Sequence, residues 1–74
     1  MIRRYSVTLH GHRTSISLEP EFWALLKHVA EKDGVSIAAL IQTIDDERLN
    51  ARLPSGLSSA LRVYLLRYLQ NRQI

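Results

Sequence analysis

Apolar residues recur along this chain with two different periods. Up to Leu18 the period is two. Tyr5, Val7 and Leu9 are apolar at odd positions, and Thr14, Ile16 and Leu18 take the inward role at even positions. Such alternation marks half-buried strands. The phase flips across His10-Gly11-His12, and a period of two cannot flip without a bulge or a turn. Gly11 supplies the permissive backbone for either. Residues 12–18 therefore read as the main strand, and residues 5–9 as a separate strand or an arm. From Pro20 the period becomes helical. Phe22, Leu25, Leu26 and Val29 make one stripe, widened by Trp23 and Ala30, and predict a helix over 20–33. Pro20 suits the first turn, Glu19 and Glu21 complement the positive helix start, and Gly34 is a stop. Ser36 caps a second helix with the stripe Ile37, Leu40, Ile41 and Ile44. Asp45-Asp46-Glu47 lie unfavourably against a helix C-terminus, so that helix is expected to end or fray near residue 45. Residues 46–57, with Asn50, Pro54, Ser55 and Gly56, read as a loop or broken helix. Ser58 or Ser59 then caps a third helix reaching about residue 72, with basic residues in its later half. Its stripe is Leu57, Leu61, Tyr64, Leu65, Tyr68 and Leu69.

The pattern thus predicts a mostly α chain with one good short strand. A lone strand forms no sheet, and the simplest partner is the same strand of a second copy, in an antiparallel ribbon across a two-fold axis. Composition points the same way. The chain has 74 residues, 46% of them hydrophobic, and no Cys. A domain this small is marginal as a monomer, and no disulfide or thiolate metal site can staple it. A homodimer is the expected state. No apolar run approaches the roughly 18 residues of a membrane span, and Met1-Ile2-Arg3-Arg4 is followed by no long apolar region, so the chain is expected to be cytoplasmic with no membrane contact.

Charge is modest in sum, +3, but uneven in placement. Residues 1–18 carry Arg3, Arg4 and Arg13 and no acid; all 7 acids lie between Glu19 and Glu47; residues 53–74 carry Arg62, Arg67 and Arg72 and no acid. Basic ends around an acidic middle suit one face to a polyanion. Catalysis is not expected: there is no Cys nucleophile, no Gly-rich phosphate loop and no HExxH. Asp45-Asp46-Glu47 reads as a solvated end, and His10-Gly11-His12 reads as a turn rather than half a metal site. No cofactor or metal is expected.

The stretch "TSISLEPEFWALLKHVAEKDGVSIAALI" joins an alternating strand, a helix with an early Pro, a turn Gly and a Ser that opens the next helix. In this it resembles the ribbon-helix-helix proteins, the Arc/MetJ class of bacterial repressors. It is most similar to a small bacterial subgroup with a "GHRTS-S-LEP-FW" strand and a later "LSSALRV" segment, here Gly11–Trp23 and Leu57–Val63. Glu19 stands where many members have Pro, which here is Pro20.

The resemblance implies a fold and a ligand. The fold is an intertwined homodimer with an intermolecular antiparallel β-ribbon, extended by an extra C-terminal helix. Residues 1–9 are a basic arm or extra strand, 10–45 the ribbon-helix-helix core, 46–57 a loop and 58–72 the added helix. Its dimer core is Thr14, Ile16, Leu18, Phe22, Leu26, Leu40, Ile41 and Ile44. The ligand is double-stranded DNA, with the ribbon in the major groove. Arg13, Ser15 and Ser17 then read bases, a lean set that implies modest specificity aided by DNA shape or by neighbouring dimers. Ser36, Ile37 and Ala38 at a helix start, with Arg3 and Arg4 on the arm, would contact phosphates. The function implied is a transcriptional regulator, a repressor. The alternative is an interaction module, antitoxin-like or adaptor, whose C-terminal helix binds a protein partner.

Overall fold

The computed structural model describes residues 1–52 and 56–71. Its elements are β1 (Arg3–Leu9), β2 (His12–Leu18), α1 (Pro20–Asp33), α2 (Ile37–Asn50) and α3 (Leu57–Asn71), in that order. The expected positions Pro54, Ser55 and Arg72 lie outside the described residues.

The chain carries two strands where one was expected, and they pair with each other. β1 and β2 form an antiparallel two-stranded sheet, in register from Arg3 opposite Leu18 to Leu9 opposite His12. Within the chain, residues 12–18 therefore pair along one edge with residues 3–9. His10 and Gly11 make the two-residue turn, with φ of 53° and 79°. Positive φ at both positions is the type I′ geometry, whose twist matches that of the flanking strands. A loop this short costs little closure entropy, which favours the hairpin. The phase flip has the same origin. Paired positions sum to an odd number, so odd inward residues on β1 face even inward residues on β2.

The helices follow the expected signals, with two differences at their ends. α1 closes in a Schellman motif: Gly34, at φ 69°, donates its N–H to Glu31 O at 3.1 Å, and Val35 N–H reaches Ala30 O at 3.0 Å. Ser36 Oγ accepts the N–H of Ala39 at 3.0 Å and caps α2. α2 does not stop near residue 45; it runs to Asn50. The acids that seemed to forbid this have partners. Asp45 is buried, its Oδ1 takes Arg48 Nη2 at 2.7 Å, and Asp46 Oδ1 lies 3.0 Å from His10 Nε2. Both carboxylates have side-chain partners instead of facing the helix terminus alone, and Asp45 is no solvated end. α3 begins at Leu57, ahead of the expected Ser58 or Ser59 cap, with Ala60 N–H donating to Gly56 O at 3.1 Å.

All five elements share one core. The inner face of the hairpin gives Val7, Leu9, Ile16 and Leu18; α1 gives Leu26, Val29 and Ala30; α2 gives Leu40, Ile41 and Ile44; α3 gives Leu61 and Leu65. Burying each large aliphatic side chain is favourable by about 1.5–3 kcal/mol. Of the residues expected in a dimer core, Ile16, Leu18, Leu26, Leu40, Ile41 and Ile44 are buried within the single chain, and Phe22 is half-buried. Thr14 departs: it has the inward parity of Ile16 but is exposed. α2 packs beneath β1, and the turn-proximal half of β2, from His12 to Ser15, stays exposed.

Candidate nucleic-acid interface

Alternation sends every second side chain of the hairpin away from the core. On β1 these are Arg4, Ser6 and Thr8, and on β2 Arg13, Ser15 and Ser17. The register sets them in facing pairs: Arg4 with Ser17, Ser6 with Ser15, Thr8 with Arg13. All six residues are exposed. The outer face is thus two guanidinium groups at diagonal ends and four hydroxyls between them, with no apolar member. Four residues separate each Arg from the level of the other, so the charges stand roughly 13 Å apart along the strands. Among the described residues, no acid lies within ion-pair distance of Arg4 or Arg13, and none of the six side chains has a hydrogen-bond partner. Their donors and acceptors are uncommitted.

The rest of the molecule fixes this face from below. At the turn, His10 N–H donates to Gln42 Oε1 at 3.0 Å, and the His10 ring meets Asp46 at 3.0 Å. In mid-hairpin, the Tyr5 ring stacks on Trp23 of α1, with centroids 4.1 Å apart and planes 5° from parallel. At the open end, Arg62 of α3 donates to Glu19 Oε1 at 3.0 Å and lies 5.8 Å from the Phe22 ring centre. A backbone hydrogen bond at Glu19, and then the Arg62 guanidinium, hold the Glu19 carboxyl below the usual carboxylate range. Three helices therefore anchor one ribbon at its tip, middle and base.

The expected site residues separate into groups. Arg13, Ser15 and Ser17 lie together on the outer face, and Arg4 stands beside them rather than on a loose arm. Arg3 has inward parity opposite Leu18 but is exposed at the open end of the sheet. Ser36 is exposed and its hydroxyl is committed to Ala39. The N–H groups of Ile37 and Ala38 find no acceptor among the described residues, as expected for a first helical turn. Ser6 and Thr8 were not anticipated. Their signal was present in the polar positions between Tyr5, Val7 and Leu9, once residues 3–9 are taken as a full strand. Among the described residues there is no group of three or more His, Cys, Asp or Glu that could hold a metal ion. No described helix is long and apolar enough to cross a membrane.

The family model described as "Ribbon-helix-helix domain" matches residues 2–69. Among solved structures, an uncharacterized protein from Bordetella pertussis Tohama I superposes with a TM-score of 0.83 at 32% sequence identity. The match covers 99% of this chain and 59% of that one, so this chain spans less than two thirds of that protein's length. No curated protein matches.

Proposed function

Because the chain belongs to the ribbon-helix-helix domain family, a family of DNA-binding regulators, we propose that it is a non-enzymatic transcriptional regulator. It acts as a repressor in the bacterial cytoplasm and lays the outer face of its own β-hairpin into the major groove of double-stranded DNA. The observation that carries this reading is the six-residue face of Arg4, Ser6, Thr8, Arg13, Ser15 and Ser17, wholly polar and wholly exposed. The major groove is wide enough for a two-stranded ribbon.

Arg13, Ser15 and Ser17 read base edges from β2, and Ser6 and Thr8 add hydroxyls from β1. A guanidinium can hold guanine O6 and N7 with two donors, whereas a hydroxyl both donates and accepts and discriminates less. Two Arg roughly 13 Å apart span about four base steps, so the readout is sparse and leans on DNA shape. Arg4, at the diagonal corner, serves bases or the phosphates at the groove wall; Arg3 serves phosphates. The first turn of α2, with the Ile37 and Ala38 N–H groups ordered by the Ser36 cap, holds a further phosphate. In this reading two copies assemble on the duplex and present two hairpins to paired half-sites, with more copies along longer sites.

A second reading, an adaptor or antitoxin-like module that docks a protein on α3, is favoured by Val63, Leu66 and Leu69, which are 42%, 53% and 43% exposed on that helix. Fluorescence anisotropy with a labelled random-sequence duplex over a salt series separates the two. The regulator reading predicts binding at low salt with a steep linear dependence on log salt, and a large affinity loss on Arg13→Ala. No binding at low salt, or an unchanged affinity in Arg13→Ala, favours the adaptor.

A further inference from the structure

Between the second half of α2 and one side of α3 lies an open cavity of about 450 Å³. That is within the roughly 300–1,000 Å³ of small-molecule sites. Ile44, Ala60 and Val63 give it apolar walls. Val63 is 42% exposed there, apolar surface left partly uncovered by the described residues. Its polar lining is Glu47, Arg48, Tyr64, Arg67, Tyr68 and Asn71. Arg48 lines the cavity, but its guanidinium is held at 2.7 Å by Asp45. Arg67 lines it too, and among the described residues no acid lies within ion-pair distance of Arg67. Glu47 is the one acid on the wall. Tyr64 also lines the cavity; burial, and then the acids Asp33 and Glu47, push its pKa upward, so it stays a neutral donor.

We propose that this groove binds a small organic monoanion with an apolar body, its carboxylate held by Arg67 and its body laid against Ile44, Ala60 and Val63. Charge selects the class. An uncommitted guanidinium beside apolar walls fits an amphipathic acid, and a carboxylate takes it with two parallel hydrogen bonds. The wall's own Glu47 opposes a second negative charge. A second copy of the chain is a poor occupant. α3 carries Arg62 and Arg67 and no acid, so two copies apposed through this helix would bring like charges together with no acid of α3 to offset them. The proposal stands apart from DNA binding, since no groove residue belongs to the hairpin.

Octanoate is the probe, with octanol as the neutral control, followed by ¹H–¹⁵N NMR titration of the full chain. The expected result is saturable binding of octanoate with shifts centred on Ile44, Val63 and Tyr64, and octanol weaker by about tenfold or more. Arg67→Gln, at an exposed position, weakens octanoate by a similar factor and leaves octanol unchanged. Val63→Ser weakens both. Absence of saturation, octanol binding as tightly as octanoate, or an unaltered octanoate affinity in Arg67→Gln would overturn the proposal. So would a concentration-dependent dimer in light scattering whose exchange protection covers Ile44 and Tyr64.

Discussion

The two faces of the hairpin share one backbone and have opposite fates. Toward the helices stand Tyr5, Val7, Leu9, Ile16 and Leu18, all buried or half-buried; toward solvent stand Arg4, Ser6, Thr8, Arg13, Ser15 and Ser17, all exposed. One face is tied by shape and by removal of apolar surface from water. The other has no side-chain hydrogen bond or ion pair among the described residues. A sheet face with no apolar residue and no internal partner adds little to folding, so its composition is free to serve a ligand. The inner face holds the outer one still, because each inward anchor fixes the outward neighbours on either side of it. That division predicts that stability and binding can be lost separately.

The largest effects belong to the inner face. Leu18→Ala removes a fully buried side chain, 0% exposed, and should destabilise the fold by about 2–5 kcal/mol in urea unfolding. Its neighbour Ser17→Ala should stay within about 0.5 kcal/mol of the parent. Equal losses from the two would erase the distinction between the faces. Next come the outer arginines. Arg4→Ala and Arg13→Ala should each leave the thermal midpoint in place while weakening DNA binding by about 1–3 kcal/mol where the guanidinium reads guanine. An Arg that only neutralises a phosphate should instead lower the salt slope by about one unit, equally on all sequences. Comparing the two variants assigns each corner of the face its role.

Smaller effects probe how the faces are held in register. Gly11→Ala meets no neighbouring atom, but the residue sits at φ +79°. The left-handed backbone alone should therefore cost about 1–2 kcal/mol, read by thermal unfolding. Ser36→Ala removes the acceptor for Ala39 N–H and should cost about 1 kcal/mol. The smallest effect is electrostatic. Folding lowers the pKa of the Glu19 carboxyl through a backbone hydrogen bond and then Arg62. A lowered folded value means that the contribution is complete above the ordinary carboxylate range and fades as pH falls through the folded value. Glu19→Gln should thus flatten the acid limb of the stability profile and leave the neutral region nearly unchanged.

Much of this arrangement was legible in the residues, because local physics decided it. The helix over 20–33, the Gly34 stop and the Ser36 cap each rest on contacts within one turn, and the alternation of residues 13, 15 and 17 sets their face. What escaped the reading depended on contacts between distant segments. The turn at His10-Gly11 was visible as a phase flip, but only pairing of β1 with β2 makes that flip the parity of a two-residue hairpin. With it came Ser6, Thr8 and the position of Arg4. The stretch of α2 past residue 45 sets Asp46 against His10, thirty-odd positions earlier, a contact that local pattern does not carry. Thr14 has inward parity, yet alternation cannot say where the helices leave the sheet uncovered. Side-chain period reports which way a residue points and is silent on what lies opposite.

The central claim, that the hairpin's polar face is the surface that meets DNA, is tested most directly by ¹H–¹⁵N chemical-shift mapping on adding a duplex at low salt. Shifts concentrated at Arg4, Ser6, Thr8, Arg13, Ser15 and Ser17, with a second focus at Ile37 and Ala38 and a quiet α3, are the predicted outcome. Shifts centred on α3 with the hairpin silent would contradict it.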